Sequence, residues 1–389
     1  MKRRLFIQTG LGLSLGGPIC AALKQGKLDD AASVLSNATE SKQVHAAALL
    51  VRQGEQEFAK TFGAAAESLD SMFLLASITK PICIASVMRF YERGEFGLDD
   101  LVKKFIPEFT GDGRDKITMR QLMTHVSGLP DQLPQNKQLR SQHAELREFI
   151  DGAIRTPLLF EPGSKYSYSS MAILLASEVA RKITGKPIAT LVDEAICQPL
   201  NLKHTAMGTG RLDKDSLVRC QVENAAPESG SGDAATRSWD WNSDYWRKLG
   251  VPWGGAHGSA GDVARFLDAF LHPQGRMLRP GTCRLMIKNH NPPNMRPRGL
   301  GFDLGKNLNG PAGNNVFGHT GSTGTLCWAD PTSDSVCVVL TTLPGRAANP
   351  HPRNVTSKVL LRPYVGVRHR NAISVGSGRR VQRWCFRGR

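Results

Sequence analysis

The stretch Met72-Phe73-Leu74-Leu75-Ala76-Ser77-Ile78-Thr79-Lys80 decides how this chain is read. Five apolar residues run directly into Ser-x-x-Lys. Apolar residues at Ile82, Ala85, Val87, Met88 and Phe90 then predict a helix that starts at Ser77 and ends near Gly94. Residues three apart on a helix share a face, so the Ser77 hydroxyl and the Lys80 amine are expected within one hydrogen bond. A serine is a weak nucleophile until a base takes its proton. A lysine serves as that base only when neutral, far below its solution pKa of about 10.4. Burial and neighbouring cations push it that way. A helix start also favours negative charge developing on Ser77. Four residues alone read more readily as an exposed helix start with a solvated lysine, so the rest of the chain has to decide.

Two further clusters carry chemistry. Tyr166-Ser167-Tyr168-Ser169-Ser170 follows Glu161-Pro162-Gly163 and opens a predicted helix, a place where a tyrosine hydroxyl can reach into a cleft. Packing tyrosines are the plainer reading. Gly318-His319-Thr320-Gly321-Ser322 ends a predicted strand. Its small residues let a substrate lie along the strand edge, facing backbone N–H groups. A tight turn is the plainer reading there.

Through these three clusters, the chain resembles the serine hydrolases of the β-lactamase fold: class C β-lactamases, low-molecular-mass penicillin-binding proteins and related esterases. They carry Ser-x-x-Lys, Tyr-x-Asn and Lys- or His-Thr-Gly in this order. The counterparts here are Ser77 and Lys80, Tyr168 with Ser170, and His319-Thr320-Gly321. Leu122-Met123-Thr124-His125-Val126-Ser127-Gly128-Leu129-Pro130 and Trp253-Gly254-Gly255-Ala256-His257-Gly258-Ser259-Ala260-Gly261-Asp262 resemble two of the family's connecting segments. The resemblance spans roughly residues 30–345.

It implies an α+β fold, an antiparallel sheet flanked by helices with a mainly helical inserted domain. The sheet part is expected over 30–75 and 255–362, the helical part over 76–254. It implies an acyl-enzyme on Ser77, with Lys80 and Tyr168 moving the proton and the Ser77 and Ser322 N–H groups holding the oxyanion. Ser170, His319, Thr320 and Gly321 become supporting or substrate-binding positions. His319 in place of lysine carries less charge at neutral pH, which tilts the expected substrate towards a neutral ester or amide. Ser170 in place of asparagine lacks an amide, which argues against efficient cephalosporin turnover. No separate deacylating glutamate can be assigned. His125 and His257 read as residues that fix backbone structure.

Composition bounds the rest. The chain has 389 residues, 40% of them hydrophobic, enough for one large domain or two interleaved ones. Its formal charge of +16 is concentrated at one end. The 11 Lys and Arg after Asp334 meet no acidic residue, leaving 39 basic against 34 acidic residues in 1–334. So balanced a body argues against a nucleic-acid-binding fold. Residues 1–24, with Lys2-Arg3-Arg4-Leu5-Phe6 and a Gly-rich apolar stretch, read as a twin-arginine-like export signal to the periplasm or envelope. Residues 364–389 read as a disordered basic tail, or alternatively as a salt-sensitive tether to anionic polymers. Eight scattered cysteines show no metal-ligand spacing, so neither metal nor cofactor is expected. Cys327 and Cys337 flank a turn and read as a cross-hairpin disulfide or two buried thiols. Trp239-Asp240-Trp241-Asn242-Ser243-Asp244-Tyr245-Trp246 reads as core packing or as the rim of the cleft. Against the hydrolase stands a second reading, a cell-wall-fragment or β-lactam receptor that acylates without turnover.

Overall fold

The structure, a computed structural model, describes residues 25–63, 66–308 and 315–361. The expected export signal over 1–24 and the basic tail over 364–389 lie outside the described residues.

In chain order the strands are β1 (Ala47–Gln53), β2 (Gln56–Phe62), β3 (Phe73–Leu74), β4 (Thr205–Met207), β5 (Ala256–Gly258), β6 (Asp303–Leu304), β7 (Phe317–Thr320), β8 (Leu326–Asp330) and β9 (Ser335–Thr341). Six of them form an antiparallel sheet in the order β2-β1-β9-β8-β7-β6. The other three form a small sheet, β3-β5-β4. Between β3 and β5 the regular elements are helices apart from β4, so the expected α+β architecture with a helical insertion is the observed one. Among the described residues no helix is long and apolar enough to cross a membrane.

The neighbouring interior strands β1 and β9 show why their sequences are apolar without alternation. β1 and β9 pair with Leu50 opposite Val338 and Leu49 opposite Val339. Successive side chains on a strand point to opposite faces. Ala48, Leu50, Val336, Val338 and Leu340 enter the core shared with the helical region. Ala47, Leu49, Val51, Cys337 and Val339 enter a second core on the far side. Both faces are dry, so both parities must be apolar. Each fully buried Val or Leu contributes roughly 1.5–3 kcal/mol relative to exposure.

On the far side the helices Gln25–Glu40 and Pro352–Leu361 pack together over the sheet face, and their Leu35 and Leu360 meet Trp328 of β8 in the second core. The first helix buries mostly alanines (Ala31, Ala32, Leu35, Ala38), so its apolar stripe is faint in the sequence. The second begins at Pro352, a residue that suits a first helical position because its missing N–H is not needed there.

Cys327 stands opposite Val338, and Cys337 opposite Trp328. One register step separates the two thiols, so they face opposite cores and cannot bond. All six described cysteines are free. The tryptophan cluster does not rim a cleft. Trp239, Trp241 and Trp246 are buried. The Arg140 guanidinium carbon lies 3.8 Å from the Trp246 ring centroid and 5.3 Å from that of Trp239.

Candidate active site

β3 runs into a tight turn, Ala76–Ile78, and then into the helix Thr79–Glu92. Ala76 has φ +48°, a left-handed conformation that is uncommon for a residue with a Cβ. The strained turn lifts Ser77 out of the strand line, and Ser77 is half-exposed while its neighbours Ala76 and Ile78 are buried. Ser77 therefore sits just before the helix rather than at its first residue. Pro81, in the first turn of that helix, removes an N–H that would have no partner there.

The expected pair is present. Lys80 Nζ lies 3.1 Å from Ser77 Oγ and donates to the Trp253 carbonyl at 2.7 Å. Lys80 is completely buried. Burial pulls its pKa down to about 7, against the opposing pull of Asp131 and with help from the Arg298 charge. A large fraction of the amine is thus neutral near pH 7, as a base requires. Tyr168 closes the third side. Lys80 Nζ lies 4.7 Å from its ring centroid. Burial pushes the phenol well above its usual range, while Arg298 and a hydrogen bond with Ser77 pull the other way. Tyr168 is therefore a protonated donor at neutral pH, set beside a lysine poised to accept.

His319 does not replace the lysine of the family pattern with a weaker cation. Its Nδ1 faces the Thr320 carbonyl at 2.7 Å, which makes Nδ1 the protonated nitrogen. Its Nε2 therefore accepts from Arg298 Nη2, at 3.2 Å. Burial first, and the Arg298 charge second, push its pKa down to about 3, so the ring is neutral.

Arg298 is the residue that sequence reasoning missed. It is completely buried, and its Nη2 also lies 3.1 Å from His125 Nε2. Its Nη1 is 3.2 Å from the Asp303 carboxylate. Its guanidinium carbon is 5.8 Å from the Tyr168 ring centroid. One cation thus influences Lys80, Tyr168, His125 and His319 together. It comes from a Pro-rich loop, Asn291–Arg298, that carries no motif, so no signal in the sequence pointed to it. His125, on the other ring edge, accepts the Ser169 N–H at Nδ1 over 3.1 Å and stacks 4.5 Å from Tyr168, so it holds the tyrosine segment in place. His257 is more remote from this network. Its Nδ1 bonds the Gly208 carbonyl at 2.9 Å, and burial lowers its pKa to about 4.

Ser170 belongs to the scaffold. Its hydroxyl donates to Asp131 Oδ1 at 2.6 Å and its N–H to the same oxygen at 2.9 Å. Asp131 also went unnoticed in the sequence; it follows the Gly128-Leu129-Pro130 turn and reaches Ser170 across 39 residues.

The segment after β7 completes the site. The Gly321 N–H donates to the Thr325 carbonyl at 2.8 Å, and Gly324 N–H to the Gly321 carbonyl at 3.1 Å. Thr323 and Thr325 hydroxyls donate to the carbonyls of Leu74 and Leu75, at 2.7 and 2.9 Å. These two bonds fasten the turn to the segment that leads into Ser77. A Cβ on Gly321 would stand 2.1 Å from Thr325 Oγ1 and 2.5 Å from the Leu75 carbonyl, so only glycine fits. Ser322 is exposed, and its N–H donates to no group among the described residues. It is free to meet a developing oxyanion.

Fold and site together define a serine hydrolase acting on ester or amide bonds. A model of the Beta-lactamase family matches residues 31–359, and the chain belongs to that family. Esterase EstB of Burkholderia gladioli is 32% identical over 264 residues, which cover 59% of this chain and 66% of EstB. Among solved structures, EstCE1, a hydrolase with promiscuous acyltransferase activity, superposes with a TM-score of 0.70 at 21% identity, over 86% of this chain and 99% of that one. The D-amino acid amidase of Ochrobactrum anthropi SV3 gives 0.69 at 21% identity, over 86% and 97%. At such identity the two solved structures speak for the fold alone.

Proposed function

We propose that the protein is an exported esterase-type hydrolase that forms an acyl-enzyme on Ser77 and turns over neutral esters. One observation carries the reading: a serine hydroxyl 3.1 Å from a buried lysine whose pKa has fallen to about 7. Ser77 Oγ attacks the ester carbonyl as its proton passes to Lys80. The N–H groups of Ser77 and Ser322 receive the oxyanion. Tyr168 gives its proton to the departing alkoxide and is reprotonated by the Lys80 ammonium, which restores the neutral amine. That base then takes a proton from the water attacking the acyl carbonyl and returns it to Ser77 Oγ as the acyl group leaves.

The preference for a neutral acyl group rests on charge. His319 is neutral, the Arg298 cation is fully enclosed, and both Arg298 and the exposed Arg296 are paired with Asp303, so among the described residues no unpaired cation is offered beside His319. The kinship with EstB supports an ester over an amide. Export rests on the Lys2-Arg3-Arg4 segment alone.

Intact mass after exposure to an activated neutral ester and, separately, to a penicillin tests the assignment. A transient acyl adduct mapped to Ser77, with released alcohol, is the expected result with the ester. A stable adduct without product would favour the non-turnover receptor. No adduct and no product from either probe would sink both.

The pH dependence follows from the same pair. Lys80 must be neutral to accept the proton, so kcat/KM is expected to rise with pH through about 7. The Arg298 charge lowers the Lys80 pKa, so Arg298→Met should move that acid limb upward. A limb unmoved in a folded Arg298→Met variant would remove Arg298 from the proton chemistry.

A further inference from the structure

The C-terminal helix Pro352–Leu361 carries a charge that helix physics does not ask for. Arg353 is its second residue, where the positive end of the helix dipole disfavours a cation. The side chain is only 9% exposed. It forms no ion pair with an acidic side chain among the described residues, and burial alone lowers its pKa, to about 10, so it stays charged at neutral pH. A buried, unpaired guanidinium is costly. The fold nevertheless makes room for it. Gly345 passes so close that a Cβ there would stand 2.7 Å from Arg353 Nη2.

The contacts show where the charge is directed. Arg353 Nη1 donates to the Gly321 carbonyl and, at 2.8 Å, to the Thr325 carbonyl. These two groups bracket the turn that presents Ser322. The same Gly321 carbonyl accepts the Gly324 N–H, and the Ser322 carbonyl accepts the Gly345 N–H at 2.8 Å. The Gly321 carbonyl and the Ser322 N–H belong to one peptide unit. A cation bonded to the oxygen of an amide draws electron density from its nitrogen and makes the N–H a stronger donor.

We propose that Arg353 is a positioning residue for the oxyanion site, acting through the Gly321–Ser322 peptide to aim and polarise the Ser322 N–H. The inference rests on the acyl-enzyme reading of Ser77. Arg353 touches neither substrate nor Ser77. It acts when charge develops on the carbonyl oxygen, so its loss should weaken transition-state binding and leave ground-state binding nearly unchanged. Removing an entire oxyanion donor typically costs about 10²–10³ in kcat, and weakening one should cost roughly 10-fold.

The test uses Arg353→Met, Arg353→Gln and Arg353→Lys in the full chain. Readouts are kcat and KM on a neutral ester, the inhibition constant of an arylboronic acid, whose tetrahedral adduct places an oxygen in the oxyanion site, and the thermal midpoint. Arg353→Met and Arg353→Gln are expected to lower kcat and weaken the boronate by about 10-fold each, with KM changed less than about 2-fold. Arg353→Lys, which keeps the charge, should recover most of both. If Arg353→Met fails to fold, the polar Arg353→Gln carries the comparison. Wild-type kcat and boronate affinity in a folded Met or Gln variant would overturn the proposal. So would an Arg353→Lys variant no better than Arg353→Gln at equal thermal stability. Boronate binding undiminished in Ser77→Ala would instead overturn the acyl-enzyme reading itself, so the two failures are distinguishable.

Discussion

Ser77→Ala is expected to lower ester turnover by a factor on the order of 10⁵–10⁶, to the background of the remaining site. The size follows from the arrangement of the site. Lys80 has one hydroxyl within reach, at 3.1 Å, and its other bond goes to a backbone carbonyl. Without Ser77 Oγ the base has no nucleophile to activate, and Tyr168 loses the hydroxyl that helps draw its pKa down. Ser77 is half-exposed in a turn held by Thr323 and Thr325, so loss of its hydroxyl should leave thermal stability within about 1 kcal/mol of wild type. Substantial turnover in the purified variant, checked for contaminating esterase with a covalent inhibitor, would reject Ser77 as nucleophile.

Lys80→Met is expected to act in two directions. Activity should fall by about 10³-fold or more, because the general base is gone. Stability at pH 7 should rise. A lysine titrating at about 7 in the fold and about 10.4 in the unfolded chain leaves the unfolded state holding more protons between those values. Wild-type stability therefore climbs with pH across that window. The full deficit, about 4 kcal/mol near neutrality, is present at and below pH 7 and vanishes above about 10.4. Methionine fills a similar volume but leaves the Trp253 carbonyl without its donor, at a cost of about 1–3 kcal/mol. The net gain expected at pH 7 is about 1–3 kcal/mol, shrinking as pH rises. Urea unfolding of both proteins at pH 6, 7 and 9.5 measures it. A variant less stable than wild type at pH 6 would mean that Lys80 is not held against its own desolvation.

The two expected outcomes describe a site that trades fold stability for chemistry. A buried amine at Lys80 and a left-handed Ala76 adjoin Ser77, a buried guanidinium at Arg298 stands beside Tyr168, and each costs free energy. The surrounding sheet and its two dry cores supply the excess that tolerates them.

Much of this was legible in the linear chain, for identifiable reasons. Ser77 and Lys80 are three residues apart, and helical geometry alone brings them together. The apolar runs of β1 and β9 announce strands buried on both faces. His319-Thr320-Gly321-Ser322 is a strand end followed by a turn, again a local matter. Other features were not legible. The helix Gln25–Glu40 buries alanines, which leave almost no periodic signal. The separation of Cys327 from Cys337 is a matter of register parity, which their flanking of a turn does not state. The tryptophans over 239–246 read in the sequence as core or as rim, and only the fold decides for core, because what packs on them, Arg140 included, comes from a distant segment.

The sequence by itself determined which reactive groups exist, their order, and the local geometry that pairs Ser77 with Lys80. The tertiary structure decided their protonation and direction. Lys80 has its pKa drawn down to about 7 by burial and, further, by a guanidinium 218 residues along the chain, His319 is kept neutral by burial first and by that same Arg298 second, and the Ser322 turn is anchored by Arg353. The reason is physical. A pKa depends on the solvent excluded and the charges gathered around a group, and those are set by segments that meet only once the chain has folded.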